Sequence, residues 1–293
     1  METFLTLENE KIKFLESEKL SSLLSLKISG EIKNIFYPKD DNQLITLIKY
    51  FAVNELKFCL IANGTNLLIS PKNDINCFIC LKDMKKTIKK YKNYVTFSSS
   101  ISLGEAFAFC YKNSLSGFEQ LALIPGSIGG AVKINAGCFG REIFDKLTQI
   151  TVFKEGKIQV LEKNKIDFGY RKTNLENEII LSAKFKLDKT EKSFIKDEYM
   201  FYAKHRVEKQ PKGFSCGSVF KNPSDFSAGY LIEKCGLKGL TYNGACISEK
   251  HANFILNENN ASFDDIIYLI NLCKKSVKEK FDITLVPEIK IID

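Results

Sequence analysis

Gly117 to Asp145 reads GFEQLALIPGSIGGAVKINAGCFGREIFD, and the fold turns on what this stretch is for. Gly117, Gly126, Gly129, Gly130, Gly137 and Gly140 fall inside it, with Pro125 before Gly126. Pro125-Gly126 and Gly129-Gly130 mark turns, and Asn135-Ala136-Gly137 follows a short apolar run. Small residues at this density let a backbone approach a ligand closely and aim several N–H groups at one anion. A helix starting near Ser127 adds its N-terminal dipole to such a site. A set of tight turns at a domain edge is the better account of PGSIGG taken alone. The wider spacing of asparagines and glycines suggests a cradle for a diphosphate.

Outward from this block, the 293 residues suffice for one large domain or two to three modest ones, and 44% hydrophobic content supplies a sizeable core. The net charge of +8 comes from scattered lysines. It implies a solvated surface with a mild attraction for anionic ligands. Nucleic-acid grooves cluster basic residues with exposed aromatics, and no such cluster is present. No apolar run is long enough to span a membrane. METFLTLENEKIKF carries early acidic residues and no long apolar core, unlike a signal peptide, so a cytoplasmic protein is expected. The cysteines sit mostly singly among apolar neighbours, as reduced core thiols do. Cys77-x-x-Cys80 is a close pair within a strand-like run, and nothing nearby completes a metal site.

Along the chain, Asp41 to Leu56 reads as an amphipathic helix with Leu44, Leu47, Ile48, Phe51 and Ala52 on one face. Phe58–Ala62 and Leu67–Ser70 read as strands around Asn63-Gly64-Thr65-Asn66. That turn is either a simple hairpin connection or a second phosphate-binding loop offering amides and the Thr65 hydroxyl. Ser102-x-x-Glu105 and Ser262-x-x-Asp265 are capping boxes that open helices. Thr148–Phe153 and Lys157–Leu161 alternate as a hairpin turning at Glu155-Gly156. Ile179–Leu187 is strand-like, Phe194–Val207 is a basic helix ended by Pro211, and Ala228–Lys234 is a short helix. Ala252–Leu256 and Pro287–Ile292 are further strands. The mixture implies an α+β fold with a boundary near Pro211.

Six blocks, in order, carry a resemblance: IANGTNLLIS, the glycine block above, GYRKT, SCGSVFKNP, AGYLIEKCGLKG and VPEIKII. Together they resemble the UDP-N-acetylenolpyruvoylglucosamine reductases, flavoenzymes of peptidoglycan precursor synthesis, over residues 58–293. The short interval between Arg171 and Ser218 resembles that family's shorter subtype, which lacks an inserted tyrosine-bearing loop. The resemblance implies a two-part FAD-binding region like that of vanillyl-alcohol oxidase, plus a separate α+β substrate domain. The expected division is 1–75 with 285–293, then 76–210, then 211–284.

It further implies non-covalent FAD, NADPH as hydride donor, and a UDP-sugar as the small-molecule partner of a monomer, with no metal. By motif match, the flavin diphosphate contacts are Asn63, Gly64, Thr65 and Asn66, and Pro125, Gly126, Ser127, Gly129, Gly130, Asn135, Ala136 and Gly137. The same match makes Ser218 the proton donor, with Arg171 and Glu288 completing the catalytic set. Tyr170, Lys221, Asn222 and His251 are the implied substrate contacts.

The first loop departs from the family's usual Gly-x-Gly-Ser-Asn, since Ala62, Asn63 and Thr65 stand there. Thr65 keeps the hydroxyl and Asn tolerates left-handed backbone, so FAD binding is expected to survive. The region of Ser29-Gly30 matches weakly. Two other readings compete: a different oxidoreductase on the same flavin fold, and a non-catalytic nucleotide-binding module. The first leaves the joint presence of Arg171, Ser218 and Glu288 unexplained, and the second predicts a colourless protein.

Overall fold

The computed structural model describes Leu7 and residues 11–293. Most of the N-terminal stretch read above as free of a targeting signal therefore lies outside the described residues. Two compact units emerge, each built from several chain segments. Of the described residues, the first comprises those up to Phe14, Phe36–Ala62 and Ile79–Arg206, and the second Leu15–Ile35, Asn63–Phe78 and Val207–Asp293.

In the first unit an antiparallel sheet runs in the order Lys157–Glu162, Leu147–Lys154, Ile179–Lys186, Tyr94–Ser98, Ile88–Tyr91. The expected hairpin is there, with Lys154 opposite Lys157. Its turn residues Glu155 and Gly156 have φ of 48° and 77°, the paired left-handed conformation that matches strand twist. Two helices, Leu103–Lys112 and Ile128–Lys133, contribute to the core of this unit. Phe97, Phe118 and Phe185 pack at its centre with ring centroids 5.1–6.0 Å apart.

The capping box at Ser102 is complete: the Ser102 hydroxyl accepts the Glu105 N–H, and the Glu105 carboxylate accepts the Ser102 N–H. Lys86 Nζ adds contacts of 2.7 and 2.9 Å to the Glu105 oxygens. Burial alone would raise the Glu105 carboxyl, but these hydrogen bonds outweigh it and hold the group at about 2. A depressed folded-state value stabilises the protein above the ordinary value of 4.5, and that stability disappears as pH falls toward 2. The urea-midpoint gap between wild type and Glu105→Gln is therefore expected to be full at pH 7 and to narrow steadily below 4.5. A gap that stays constant down to pH 3 would contradict this.

The second unit holds a three-stranded antiparallel sheet in the order Thr241–Tyr242, Ala245–Ile247, Ile255–Asn257, and the long helix Phe263–Phe281. Ser262 and Asp265 form the second expected capping box. Ile266, Ile270, Cys273 and Val277 are buried along that helix. Burial pushes the thiols of Cys110, Cys216 and Cys273 up to about 12, so they remain protonated core groups.

The alternative of a hairpin around Asn63–Asn66 does not hold. Phe58–Ile61 lies beside Cys77–Cys80 at the end of a four-stranded sheet that continues with Glu31–Tyr37 and Lys13–Lys19. Leu67–Ile69 instead pairs in parallel with Lys290–Ile292 at the end of the chain, Leu67 opposite Lys290. The strands Lys13–Lys19 and Glu31–Tyr37 have no counterpart in the sequence reading, because their alternation is broken by charged residues. Strands and helices are segregated in the manner of an α+β protein.

Candidate active site

In the second unit, the segment Phe214–Pro223 runs extended between two neighbours. Ser218 bridges to Phe254 and Phe220 bridges to Pro287. The Val219 N–H donates to the Asn253 carbonyl at 2.8 Å, and the Val219 carbonyl accepts the Glu288 N–H at 2.8 Å. Ser218 and Glu288 are thus carried by adjacent extended segments, both half-buried. No partner within this unit engages the Ser218 hydroxyl. Asn253, which sequence reasoning did not single out, fixes the segment from within: its side chain accepts the Phe220 N–H and donates to the Phe220 carbonyl, at 2.9 and 2.8 Å. A buried asparagine with both ends used holds a backbone in one register.

The loop Asn63–Asn66 is tied to the same region. Asn66 Nδ2 donates to the Glu288 carbonyl at 3.2 Å, and the Lys290 N–H donates to the Asn66 carbonyl at 3.0 Å. The Gly64 carbonyl accepts the Ser25 N–H at 3.0 Å. Gly64 has φ 61°, and a Cβ there would stand 2.1 Å from the Leu23 carbonyl oxygen. Its need for glycine therefore comes from the protein's own backbone. No acceptor within the unit takes the N–H groups of Asn63, Gly64, Thr65 or Asn66. Consecutive uncommitted amides around a left-handed residue form an anion-binding concavity.

The first unit carries the glycine block. Ser127 caps the helix Ile128–Lys133, its hydroxyl accepting the Gly130 N–H at 3.2 Å. The Ile128 N–H donates to the Ile101 carbonyl and the Gly129 N–H to the Ser99 carbonyl, at 2.8 and 2.9 Å. So the amides of Ile128, Gly129 and Gly130 are spent inside the protein, which corrects the expectation that this helix start aims them at an anion. Gly129 is small because Ser99 lies where its Cβ would go, 2.8 Å from the Ser99 Cβ. Gly137 is small because the Arg141 carbonyl oxygen would be 2.3 Å away. Pro125 is exposed, while Gly126 is half-buried; the Gly126 carbonyl accepts the Leu103 N–H. Ala136 is buried, with its N–H on the Ala131 carbonyl.

Asn135 is fully buried at φ 48°. Its Nδ2 donates to Glu142 Oε2 at 2.7 Å and to the Gly169 carbonyl at 3.0 Å. The side chain is an internal tie, and the Asn135 N–H is spent on the Val132 carbonyl at 3.3 Å.

Phe168–Gly169 and Lys172–Thr173 pair antiparallel, with Tyr170 and Arg171 as the two turn residues. Arg171 takes φ 52°, an uncommon conformation for a long side chain that costs of order 1 kcal/mol or more and clusters at functional sites. Its guanidinium donates to the Gly137 carbonyl, lies 3.7 Å from Glu142 Oε1, and sits 5.0 Å from the centre of the exposed Tyr170 ring. Glu142 is the residue that sequence reasoning missed here, although it stands within the quoted block.

The four residues implied as substrate contacts fare differently. Tyr170 presents its ring at the turn. The Lys221 N–H pairs with the Val286 carbonyl at 2.9 Å. Asn222 Oδ1 accepts the Ala228 N–H at 3.0 Å and so supports the helix Ala228–Lys234. His251 Nδ1 accepts the Asn253 N–H at 3.2 Å, and the ring packs where a Cβ on Gly229 would be 3.0 Å from Cε1. Burial lowers the His251 pKa, so the imidazole is neutral at pH 7. Both side chains have structural duties of their own. Among the described residues no group of three His, Cys, Asp or Glu side chains gathers for a metal. No helix of the described residues is long and apolar enough to cross a membrane.

Residues 209–292 match the family model described as UDP-N-acetylenolpyruvoylglucosamine reductase, C-terminal domain, and residues 32–161 match the FAD binding domain. The chain is 38% identical over 278 residues to the UDP-N-acetylenolpyruvoylglucosamine reductase of Thermotoga petrophila, covering 94% of this chain and 97% of that one. It is 36% identical to the reductase of the same name from Fusobacterium nucleatum, covering 96% and 100%. The crystal structure of UDP-N-acetylenolpyruvylglucosamine reductase from Thermus caldophilus superposes with a TM-score of 0.82 at 29% identity, over 96% of this chain and all of the other.

Proposed function

The chain belongs to the UDP-N-acetylenolpyruvoylglucosamine reductase family, and from that premise we infer which of its residues carry the reaction. The activity is the FAD-dependent, NADPH-linked reduction of UDP-N-acetylglucosamine enolpyruvate to UDP-N-acetylmuramate, a step in peptidoglycan precursor synthesis. The loop Asn63–Asn66 fits a diphosphate by its amides, and Thr65 adds a hydroxyl. Asn63, Gly64, Thr65 and Asn66 hold the FAD diphosphate. In their own unit Pro125, Gly126 and Ser127 are the further cofactor contacts, with Gly129, Gly130, Asn135, Ala136 and Gly137 shaping the backbone around them. When bound, FAD supplies hydride transfer from NADPH to the enolpyruvyl group.

The chain's own residues then have two tasks. Charge accumulates on the enolpyruvyl carboxylate and the carbon beside it, and that carbon must receive a proton. Arg171 meets the charge as a preplaced cation. Ser218 hands over the proton from its hydroxyl, a weak acid that needs its alkoxide stabilised by neighbouring charge. Glu288 completes the set.

The observation that supports this assignment best is the hydrogen bond from the Glu288 N–H to the Val219 carbonyl. It sets two motifs, 70 residues apart along the chain by their numbers, on adjacent extended segments. Tyr170 and Lys221 contact the UDP-sugar directly, and Asn222 and His251 contribute from positions their structural bonds fix. Of the expected division into 1–75 with 285–293, 76–210 and 211–284, the return of the last strand to the first part is supported by the pairing of Lys290–Ile292 with Leu67–Ile69, while the compact units described above divide 1–75 between them. The protein acts as a cytoplasmic monomer without nucleic-acid or membrane partners, in keeping with its scattered lysines.

The test starts from the visible spectrum of the purified protein, followed by NADPH oxidation with and without UDP-N-acetylglucosamine enolpyruvate. A flavin spectrum and substrate-dependent oxidation are expected. A flavin spectrum with no response to that substrate would point to another oxidoreductase on the same fold. A colourless protein that FAD does not reconstitute would mean that Ala62, Asn63 and Thr65 have cost the cofactor.

A further inference from the structure

We propose that Glu142 is a positioning residue that holds the Arg171 guanidinium in its working orientation. The inference rests on the reading of Arg171 given above. Four observations within the first unit carry it. Glu142 and Gly137 face each other in the short antiparallel pair Gly137–Cys138 and Arg141–Glu142. Two groups that engage the guanidinium, the Gly137 carbonyl and the Glu142 carboxylate, are therefore cross-strand partners whose spacing the ladder sets. The carboxylate is itself fixed. Its Oε2 accepts from the buried Asn135 at 2.7 Å, which turns Oε1 toward Arg171 at 3.7 Å. The Glu142 backbone is tied too, its N–H donating to Asp145 Oδ2 at 3.0 Å.

Asn135 also binds the Gly169 carbonyl, in the strand that leads into the Tyr170-Arg171 turn. One asparagine thus sets both the carboxylate and the root of the hairpin that carries the arginine. The Tyr170 ring lies against the guanidinium as well. The Arg171 side chain is only 14% exposed, against 31% for Glu142.

An arginine side chain has many rotamers, and a free one loses that freedom when the substrate's charge develops. Clamped beforehand by a carbonyl and a carboxylate, it can stabilise the transition state without reorganising. Glu142 touches neither substrate nor cofactor in this account. It acts through Arg171.

The experiment uses the FAD-loaded holoenzyme and a cycle of Glu142→Gln, Arg171→Lys and the double variant. Glutamine keeps the shape and can still accept from Asn135, but faces Arg171 with a neutral group. E142Q is expected to lower kcat about 10- to 100-fold. KM for the enolpyruvyl substrate should change by less than about threefold, because the lost interaction is one made in the transition state. Flavin reduction by NADPH alone should keep its rate. In the R171K background the same change should alter kcat by less than about threefold, since the group it positions is already altered.

Several results would overturn the proposal. One is a wild-type kcat in E142Q beside an impaired R171K. Another is effects that multiply fully in the double variant. Loss of flavin reduction along with turnover would mark a merely structural role. If R171K turns over at the wild-type rate, the reading of Arg171 itself fails, which is a separate outcome. Should E142Q lose its flavin, Glu142→Asp restores a carboxylate one methylene shorter. It is expected to recover part of kcat, and no recovery would end the proposal.

Discussion

Ser218→Ala is expected to lower kcat by about 10³-fold while the protein keeps its flavin spectrum. The size follows from what is removed. A positioned proton donor contributes roughly 10² to 10⁴ in rate, and an alanine leaves water as the alternative source. Flavin content should be unchanged, because the serine contributes no hydrogen bond within its unit and its segment is fixed by other groups. Val219, Phe220 and Lys221 carry the backbone bonds to Asn253 and Val286, and Val219 accepts from Glu288. The substitution therefore leaves the register of the segment intact. KM should move little, since the hydroxyl is required in the transition state and not for binding. Ser218→Cys offers a proton at nearly the same reach and should recover part of the loss. Steady-state NADPH oxidation, with flavin absorbance as the control, decides it. If Ser218→Ala keeps more than about a tenth of wild-type kcat, the proton comes from elsewhere and the assignment is lost.

Gly64→Ala is expected to be the most destabilising small change in the chain. Two penalties coincide there. The backbone is left-handed at φ 61°, and the new Cβ would lie 2.1 Å from the Leu23 carbonyl oxygen and 3.0 Å from the Leu24 Cα. The first penalty alone is about 1–2 kcal/mol. The second cannot be relieved by rotating a side chain, because the obstacle is backbone. Leu20, Leu23 and Leu24, on and beside the helix Leu20–Leu23, are buried, so the main chain there has nowhere to retreat.

A loss of more than about 4 kcal/mol is expected, a large share of the roughly 5–15 kcal/mol that holds such a protein folded. Gly156→Ala is the control. It has a similar φ of 77° with nothing within 4 Å of the added carbon, and should cost about 1 kcal/mol. Urea midpoints of the two variants separate the terms. If both shift equally, conformation alone accounts for Gly64 and the steric argument is wrong. The same substitution also displaces the loop amides, so FAD affinity should fall in Gly64→Ala and not in Gly156→Ala.

Much of this was written in short stretches of sequence. Ser102 with Glu105 and Ser262 with Asp265 announced their helices because a capping box is a contact between residues three apart. Glu155-Gly156 announced its hairpin because only residues tolerant of left-handed backbone match the twist of two strands. The motif blocks around Arg171, Ser218 and Glu288 were legible as blocks. In each case the deciding interaction spans a few residues, so the residue types at that spacing suffice.

The tertiary structure alone decided the rest. FCLI and LLIS, next to each other in sequence with a turn between, join different sheets, because Leu67–Ile69 finds its partner in Lys290–Ile292. A strand's hydrogen-bonding edge carries no address, and burial of both faces across the whole chain selects the partner. The same limit hid why Gly64 must be glycine, since the Leu23 backbone that crowds it arrives from another segment, whereas Gly137 is crowded by Arg141 where the chain folds straight back on itself. It also hid that the amides of Ile128, Gly129 and Gly130 are already bonded at home, and that Asn135 and Glu142 join the glycine block to the arginine turn. Residue types set what each group can bond to; only the packed chain sets which of those partners is within reach.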